Sequence, residues 1–220
     1  MSPVEADAAP QERTPPEGWR DLQRRGRGLS LRTLIILRWM ALLGQSATIF
    51  TATVILHFDL PLLACSAALA AGVLFNLYAA SELKTLDPNP TDGRRTALHL
   101  GFDMLQLTVL LALTGGLRNP FCLLLVAPVT VAAASLPARQ ALGLGFMALL
   151  ASVALFYWSL PLPWAKGTEL DLPPLYRVGI GLALVTGVVF TATYAWRVAA
   201  DAEKLELALA TTQDVLQREQ

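Results

Sequence analysis

Two groups of residues have the types and spacing that chemistry could use. The first is the heptapeptide Gly115-Gly116-Leu117-Arg118-Asn119-Pro120-Phe121, set between the apolar runs 98–114 and 122–136. As a turn it is self-explanatory. One glycine ends a helix in the left-handed conformation, Asn119 caps the next helix, and Pro120 takes that helix's first turn, where a missing N–H costs nothing. The same turn also offers what a quinone head requires. A quinone presents two carbonyl acceptors on a flat ring, while its isoprenoid tail must stay in lipid. The Asn119 amide and glycine-exposed backbone N–H groups are donors of the right kind, and Phe121 is a ring partner. Reduction turns the carbonyls into hydroxyls, so fixed donors would distinguish the two redox states, which is the differential affinity a ligand switch needs.

The second group is His99, Asp103 and Gln106, spaced four and three, which places all three on one face of a helix. A carboxylate inside an apolar span is expensive and normally faces the bundle interior or water. Two roles stay open for this stripe. It is either a proton- or state-coupled switch, or polar glue between helices, with Gln45 and Asn76 of the neighbouring spans as partners.

Other chemistry is missing. There is no GxGxxG, no phosphate loop ending in Gly-Lys-Ser, no HExxH and no Gly-x-Ser-x-Gly, so no catalytic residue is assigned within the chain. Cys65 and Cys122 lie far apart in apolar runs and read as small packing residues. His57 and His99 are the only histidines, so no metal site is expected.

The elements that must position these groups are membrane spans. The 220 residues are 54% hydrophobic and 15% charged, against about 25% charged in soluble domains, and mean hydropathy is +0.49. Net charge is zero, so no nucleic-acid partner is implied. The apolar runs predict six spans at about 33–56, 61–80, 98–114, 120–136, 140–160 and 175–195. Pro61 opens the second span and Pro128 is expected to kink the fourth. Arg38, beside Trp39, reads as a snorkelling interfacial arginine. Polar breaks at 81–97 and 161–174 are proline-rich loops, the latter edged by Trp158 and Trp164.

Residues 1–28 read as a disordered tail turning basic, with Arg20, Arg24, Arg25 and Arg27 preceding the first span, and not as a signal peptide. With an inward N-terminus, 14 of the 17 Lys and Arg residues fall on the cytoplasmic side, and only Arg118, Lys166 and Arg177 on the other. The positive-inside rule therefore predicts an all-α, six-span protein with both termini cytoplasmic and the heptapeptide on the outer face. Beyond the last span, Val198, Ala202, Leu205, Leu209, Thr212 and Leu216 are spaced 4, 3, 4, 3, 4. That seam predicts a helix continuing from the membrane into a parallel homodimeric coiled coil over 198–220. Nothing in its composition marks a stop at Gln220.

The heptapeptide matches the Gly-Gly-x-x-Asn-Pro-Phe motif of the RegB/PrrB family of redox-responsive sensor histidine kinases. Leu31-Arg32-Thr33-Leu34, Leu37-Arg38-Trp39 and Gly44-Gln45 are similar to that family's first span, and the resemblance covers about 29–220. It implies a bacterial inner-membrane, multi-pass sensor domain over 29–197, in which Gly115, Gly116, Asn119, Pro120 and Phe121 serve ubiquinone sensing. It further implies a kinase core with a phospho-accepting His, a redox-active Cys and an ATP-binding domain, and a cognate response regulator as partner. None of those kinase elements stands in this sequence, so the chain reads as the membrane sensor half. The competing expectations are a six-span transporter-like protein, which needs a polar path across several spans, and an inert membrane anchor.

Overall fold

The computed structural model describes residues 30–83, 93–164 and 172–219, and every regular element among them is helical. The tail 1–28, residues 84–92 of the 81–97 loop and residues 165–171 of the 161–174 loop lie outside the described residues.

Helix α1, Leu31–Phe50, starts where Ser30 Oγ accepts the Thr33 N–H at 3.1 Å, the usual serine N-cap. It runs into one π-helical turn, Thr51–Ile55, in which the Leu56 N–H reaches back to the Thr51 carbonyl at 3.0 Å. His57 then stops it, in the left-handed region at φ +54°. Helix α2, Leu62–Leu83, follows Pro61, whose carbonyl accepts the Cys65 N–H at 3.0 Å. Helix α3, Gly93–Leu113, begins five residues before the expected third span. Polarity marks where lipid contact starts, whereas Arg94, Arg95 and Thr96 are all able to sit in a hydrogen-bonded helix outside it.

The fourth span departs most from expectation. In place of one kinked helix, a 3-10 turn over Gly116–Arg118 leads to a 3-10 helix over Pro120–Leu125 and then α4, Val126–Ser135. Pro128 is the physical reason. It has no N–H for the Leu124 carbonyl and its ring crowds that carbonyl, so an α-ladder cannot run through this point. Val126 N–H bonds to Leu123 and Leu124 instead. The tighter winding also lengthens the segment. At about 2.0 Å per 3-10 residue and 1.5 Å per α residue, 120–135 extends roughly 27 Å, near the ~30 Å of a hydrocarbon core.

Helix α5, Ala138–Tyr157, and the unbroken 46-residue α6, Pro174–Glu219, complete the chain. Five helical segments are long and apolar enough to cross a membrane: Leu31–Ile55, Leu62–Glu82, Gly93–Leu113, Ala138–Tyr157 and Pro174–Ala202. Pro120–Ser135 is a sixth, shorter apolar helix. Expectation and structure therefore agree on the order of the spans, but the fourth is short and wound differently.

Leu100, Met104, Leu107 and Leu111, one face of α3, meet Leu125, Val129 and Ala132, Leu144, Ala148 and Leu155 of α5, and Leu184 and Val188 of α6. Small residues at these contacts let backbones approach, the usual basis of helix association where lipid is as apolar as leucine. Helix α6 packs against α4, α5 and the heptapeptide; α1, α2 and α3 pack against one another. Past the bundle, Val198, Leu205 and Leu209 of α6 are all at least half exposed in the single chain.

Candidate functional site

The heptapeptide folds as its composition demands, and the structure adds why both glycines are needed. Gly115 has φ +115° and Gly116 φ +60°, both in the region that favours glycine. Space is closed as well. A Cβ on Gly115 would fall 2.5 Å from Leu162 Cδ1, and one on Gly116 would fall 2.5 Å from Ser159 Oγ and 2.7 Å from the Leu155 carbonyl. The segment after α5 thus lies directly on the turn, pinned by a Leu160 N–H to Ala112 carbonyl bond of 2.8 Å.

Asn119 holds the turn together. Its Oδ1 accepts the Phe121 N–H at 2.9 Å, and its Nδ2 donates to the Thr114 carbonyl at 3.0 Å and Thr114 Oγ1 at 2.9 Å. A carboxamide has two N–H donors, and both are spent inside the turn. Gly115, Gly116, Leu117 and Cys122 are buried, while Pro120 and Phe121 are exposed, Phe121 at 45%. The five residues proposed from sequence are brought together, but only Pro120 and Phe121 offer much surface.

Leu117, 3% exposed, points at α6. A Cβ on Gly181 would lie 3.4 Å from Leu117 Cδ1, and one on Gly187 would lie 3.9 Å from Val126 Cγ2. The heptapeptide therefore bears directly on the helix that leaves the bundle.

The polar stripe lies at the middle of α3, away from the turn, and its main partner is the arginine read as an interfacial snorkel. Arg38 does not snorkel. It is 4% exposed and forms a two-pronged ion pair with Asp103, Nε to Oδ1 at 2.5 Å and Nη2 to Oδ2 at 3.1 Å. Nη2 also lies 3.3 Å from the His99 carbonyl and 3.3 Å from His99 Nδ1. Since arginine only donates, Nδ1 is the acceptor there. The guanidinium sits 4.6 Å from the Phe75 ring centre and 5.8 Å from Phe102, and those rings stack at 4.0 Å. Each prong matches a carboxylate oxygen and the aromatic faces replace water around the cation, so burial beats snorkelling.

The rest of the stripe behaves as glue. Gln106 and Gln45 exchange reciprocal amide bonds at 3.0 and 3.5 Å. Asn76 instead donates to the Ile35 carbonyl at 3.2 Å, on the helix that carries Arg38. Gly72 leaves room for this meeting, since a Cβ there would fall 2.7 Å from Leu42 Cδ2. Arg38, Phe75 and Phe102 were not picked out from sequence. The available signal was depth: Arg38 and Asp103 each stand five residues past the expected starts of their spans, at Thr33 and Leu98.

Similarity to known proteins can now be set beside this geometry. Over 209 residues, 93% of its length, the chain is 39% and 40% identical to two curated sensor histidine kinases RegB of Cereibacter sphaeroides. By sequence, the chain is similar to part of a RegB sensor histidine kinase. It spans 44% of the length of those RegB relatives. No family model and no solved structure matches it. The RegB-like region includes the heptapeptide, the Arg38–Asp103 pair and most of α6.

Proposed function

We propose that the chain is the membrane sensor portion of a RegB-type two-component histidine kinase, reading the ubiquinone/ubiquinol balance at the Gly115–Phe121 turn. The observation that carries this reading is the contact of the turn with α6. Leu117 and Val126 rest on Gly181 and Gly187 of the same unbroken helix that runs on to Glu219. A ligand that shifts the turn shifts that helix, with no need for a route through the whole bundle.

On this reading the bundle lies in a bacterial inner membrane with both ends inside and the turn outside, as the charge distribution favours. Removing the buried Arg38 from the charge count still leaves 13 cationic residues against three. Two copies pair through the 198–216 seam, where Val198, Leu205 and Leu209 otherwise stand uncovered. The coiled coil drives an ATP-dependent kinase core and, through it, a response regulator. Phe121, exposed and lipid-accessible, supplies the ring contact, while Gly115, Gly116, Asn119 and Pro120 hold its position. His99, Asp103 and Gln106 couple helices α1 and α3 and leave the ligand alone. A transporter reading is disfavoured because Arg38, Asp103, Gln45 and Gln106 are committed to one another and do not line a path.

The test is autophosphorylation of the full-length kinase in membranes poised with oxidised or reduced ubiquinone. Phe121→Ala should leave basal activity in place and weaken the quinone response about three- to tenfold, the scale of one lost ring contact. An unchanged response would remove Phe121 from the site.

A further inference from the structure

Helix α6 is unbroken from Pro174 to Glu219, so the helical period decides which of its residues share a side. Eighteen residues make about five full turns. Eighteen positions before the seam residues Val198, Ala202 and Leu205 stand Ile180, Leu184 and Gly187. All three face the chain's own bundle. Leu184 is fully buried, Ile180 packs against the core cluster, and a Cβ on Gly187 would lie 3.9 Å from Val126 Cγ2 of α4. The side of α6 that α4 covers inside the bundle is thus the side left bare beyond it, where Val198, Leu205 and Leu209 are at least half exposed.

An a/d seam is matched by a second copy of the same seam, turned toward a shared two-fold axis. Such a pair of α6 helices cannot run on side by side through the membrane, because α4 already occupies the side turned to the axis. We infer that a second copy of this chain docks against it through α4, with the two short spans together at the axis and the two α6 helices apart within the membrane and joined beyond it. This rests on the reading of 198–216 as a homodimeric seam and is independent of any ligand at the turn.

The spacing suits one unbroken helix. Packed helices stand about 8–10 Å apart, so two α6 helices with two α4 segments between them are about 27 Å apart at Gly187, against about 9 Å at the seam. Each α6 then closes about 9 Å over a rise of roughly 22 Å from Gly187 to Ala202, a tilt of about 22°. Transmembrane helices tilt by about 20° on average, so no kink is needed.

The free side of α4 admits such a neighbour. Ala127 and Ala134 lie seven residues apart on one face and are exposed, with Thr130 and Val131 half-buried between them. The far side of α6 is bulkier. Leu182 and Val189, both exposed, lie about 140–160° around the helix from Leu184 and face lipid.

The experiment is thiol cross-linking with a short bismaleimide on the full 220-residue chain, carrying single added cysteines, in lipid vesicles at low protein density. Cys65 and Cys122 are buried and stay in place, and the chain without an added cysteine is the control. Ala127→Cys and Ala134→Cys should give dimers across α4, and Leu205→Cys should give dimers across the seam. Leu182→Cys and Val189→Cys on the far side of α6, and Leu150→Cys on the exposed face of α5, should stay at the control level. All six positions are exposed, so the added thiol leaves the packing intact. Dimers at Leu205→Cys with none at either α4 position overturn the docking through α4 and keep the seam. Dimers at all six positions alike mark random collision and overturn the docking as well. No dimer at Leu205→Cys overturns the seam, and this inference with it.

Discussion

The two polar regions of this bundle, one just past the C-terminal end of α3 and one at its middle, are built on opposite principles. The heptapeptide is closed by a neutral carboxamide and is local: Asn119 makes its bonds within five residues. The Arg38–Asp103 pair is charged and long-range, joining positions 65 residues apart. The turn bears on α6, whereas the ion pair ties α1 to α3 under the rings of α2 and α3. On the proposed reading, a bundle that holds together and also reports a ligand has separated the two tasks. The costly charged contact sits where nothing has to move, and the turn of backbone bonds sits against the helix that leaves.

That contrast can be broken in order of expected effect. Asp103→Ala leaves Arg38 buried without its counter-charge and should cost about 3–5 kcal/mol in a thermal or detergent unfolding assay. The loss should be the same with either quinone redox state, since the pair lies away from the turn; a redox-dependent loss would merge the two regions. Gly116→Ala should cost about 1–3 kcal/mol, because it forces a side chain into a left-handed residue and against Ser159. Adding Ser159→Gly should recover only part of this, since the Leu155 carbonyl also crowds the new Cβ. Asn119→Ala should cost about 1–2 kcal/mol through the lost cap and should slacken the turn, with altered hydrogen exchange at 114–122 as the readout. Smallest is the Gln45–Gln106 pair. A double-mutant cycle to leucine should give a coupling near 0.6 kcal/mol, the average for intramembrane hydrogen bonds.

What was legible in the sequence follows from what is local. Apolar run lengths place the spans, because a segment in lipid must bury its backbone bonds within itself. The caps of the heptapeptide were readable because Gly115, Asn119 and Pro120 act within a few residues of themselves. The face shared by His99, Asp103 and Gln106 was readable because four and three are helical spacings. Arg38 was misread because its partner lies two helices later, and no local rule distinguishes an arginine that snorkels from one that meets a carboxylate. The 3-10 winding of 120–125 also escaped. Pro128 announced a break in the α-ladder, but a kink and a tighter helix are both answers to it. The spent Asn119 donors depended on Thr114, whose hydroxyl and carbonyl face the carboxamide only after the chain has turned.

Helix α6 has a further consequence as a rotary element. Between Gly187 and Glu219 it holds neither glycine nor proline, so nothing in that stretch is built to absorb torsion. Successive residues are set about 100° apart, so the face turned toward Leu117 and the face carrying Val198 keep a fixed angular phase. A small roll of the helix at Gly187, beside Val126, becomes the same roll at Leu209, roughly 33 Å away. If α6 carries a signal as proposed, what travels along this shaft is an angle, and seven residues inserted between Gly187 and Val198 should nearly preserve it, while one inserted residue should turn the seam aside by about 100°.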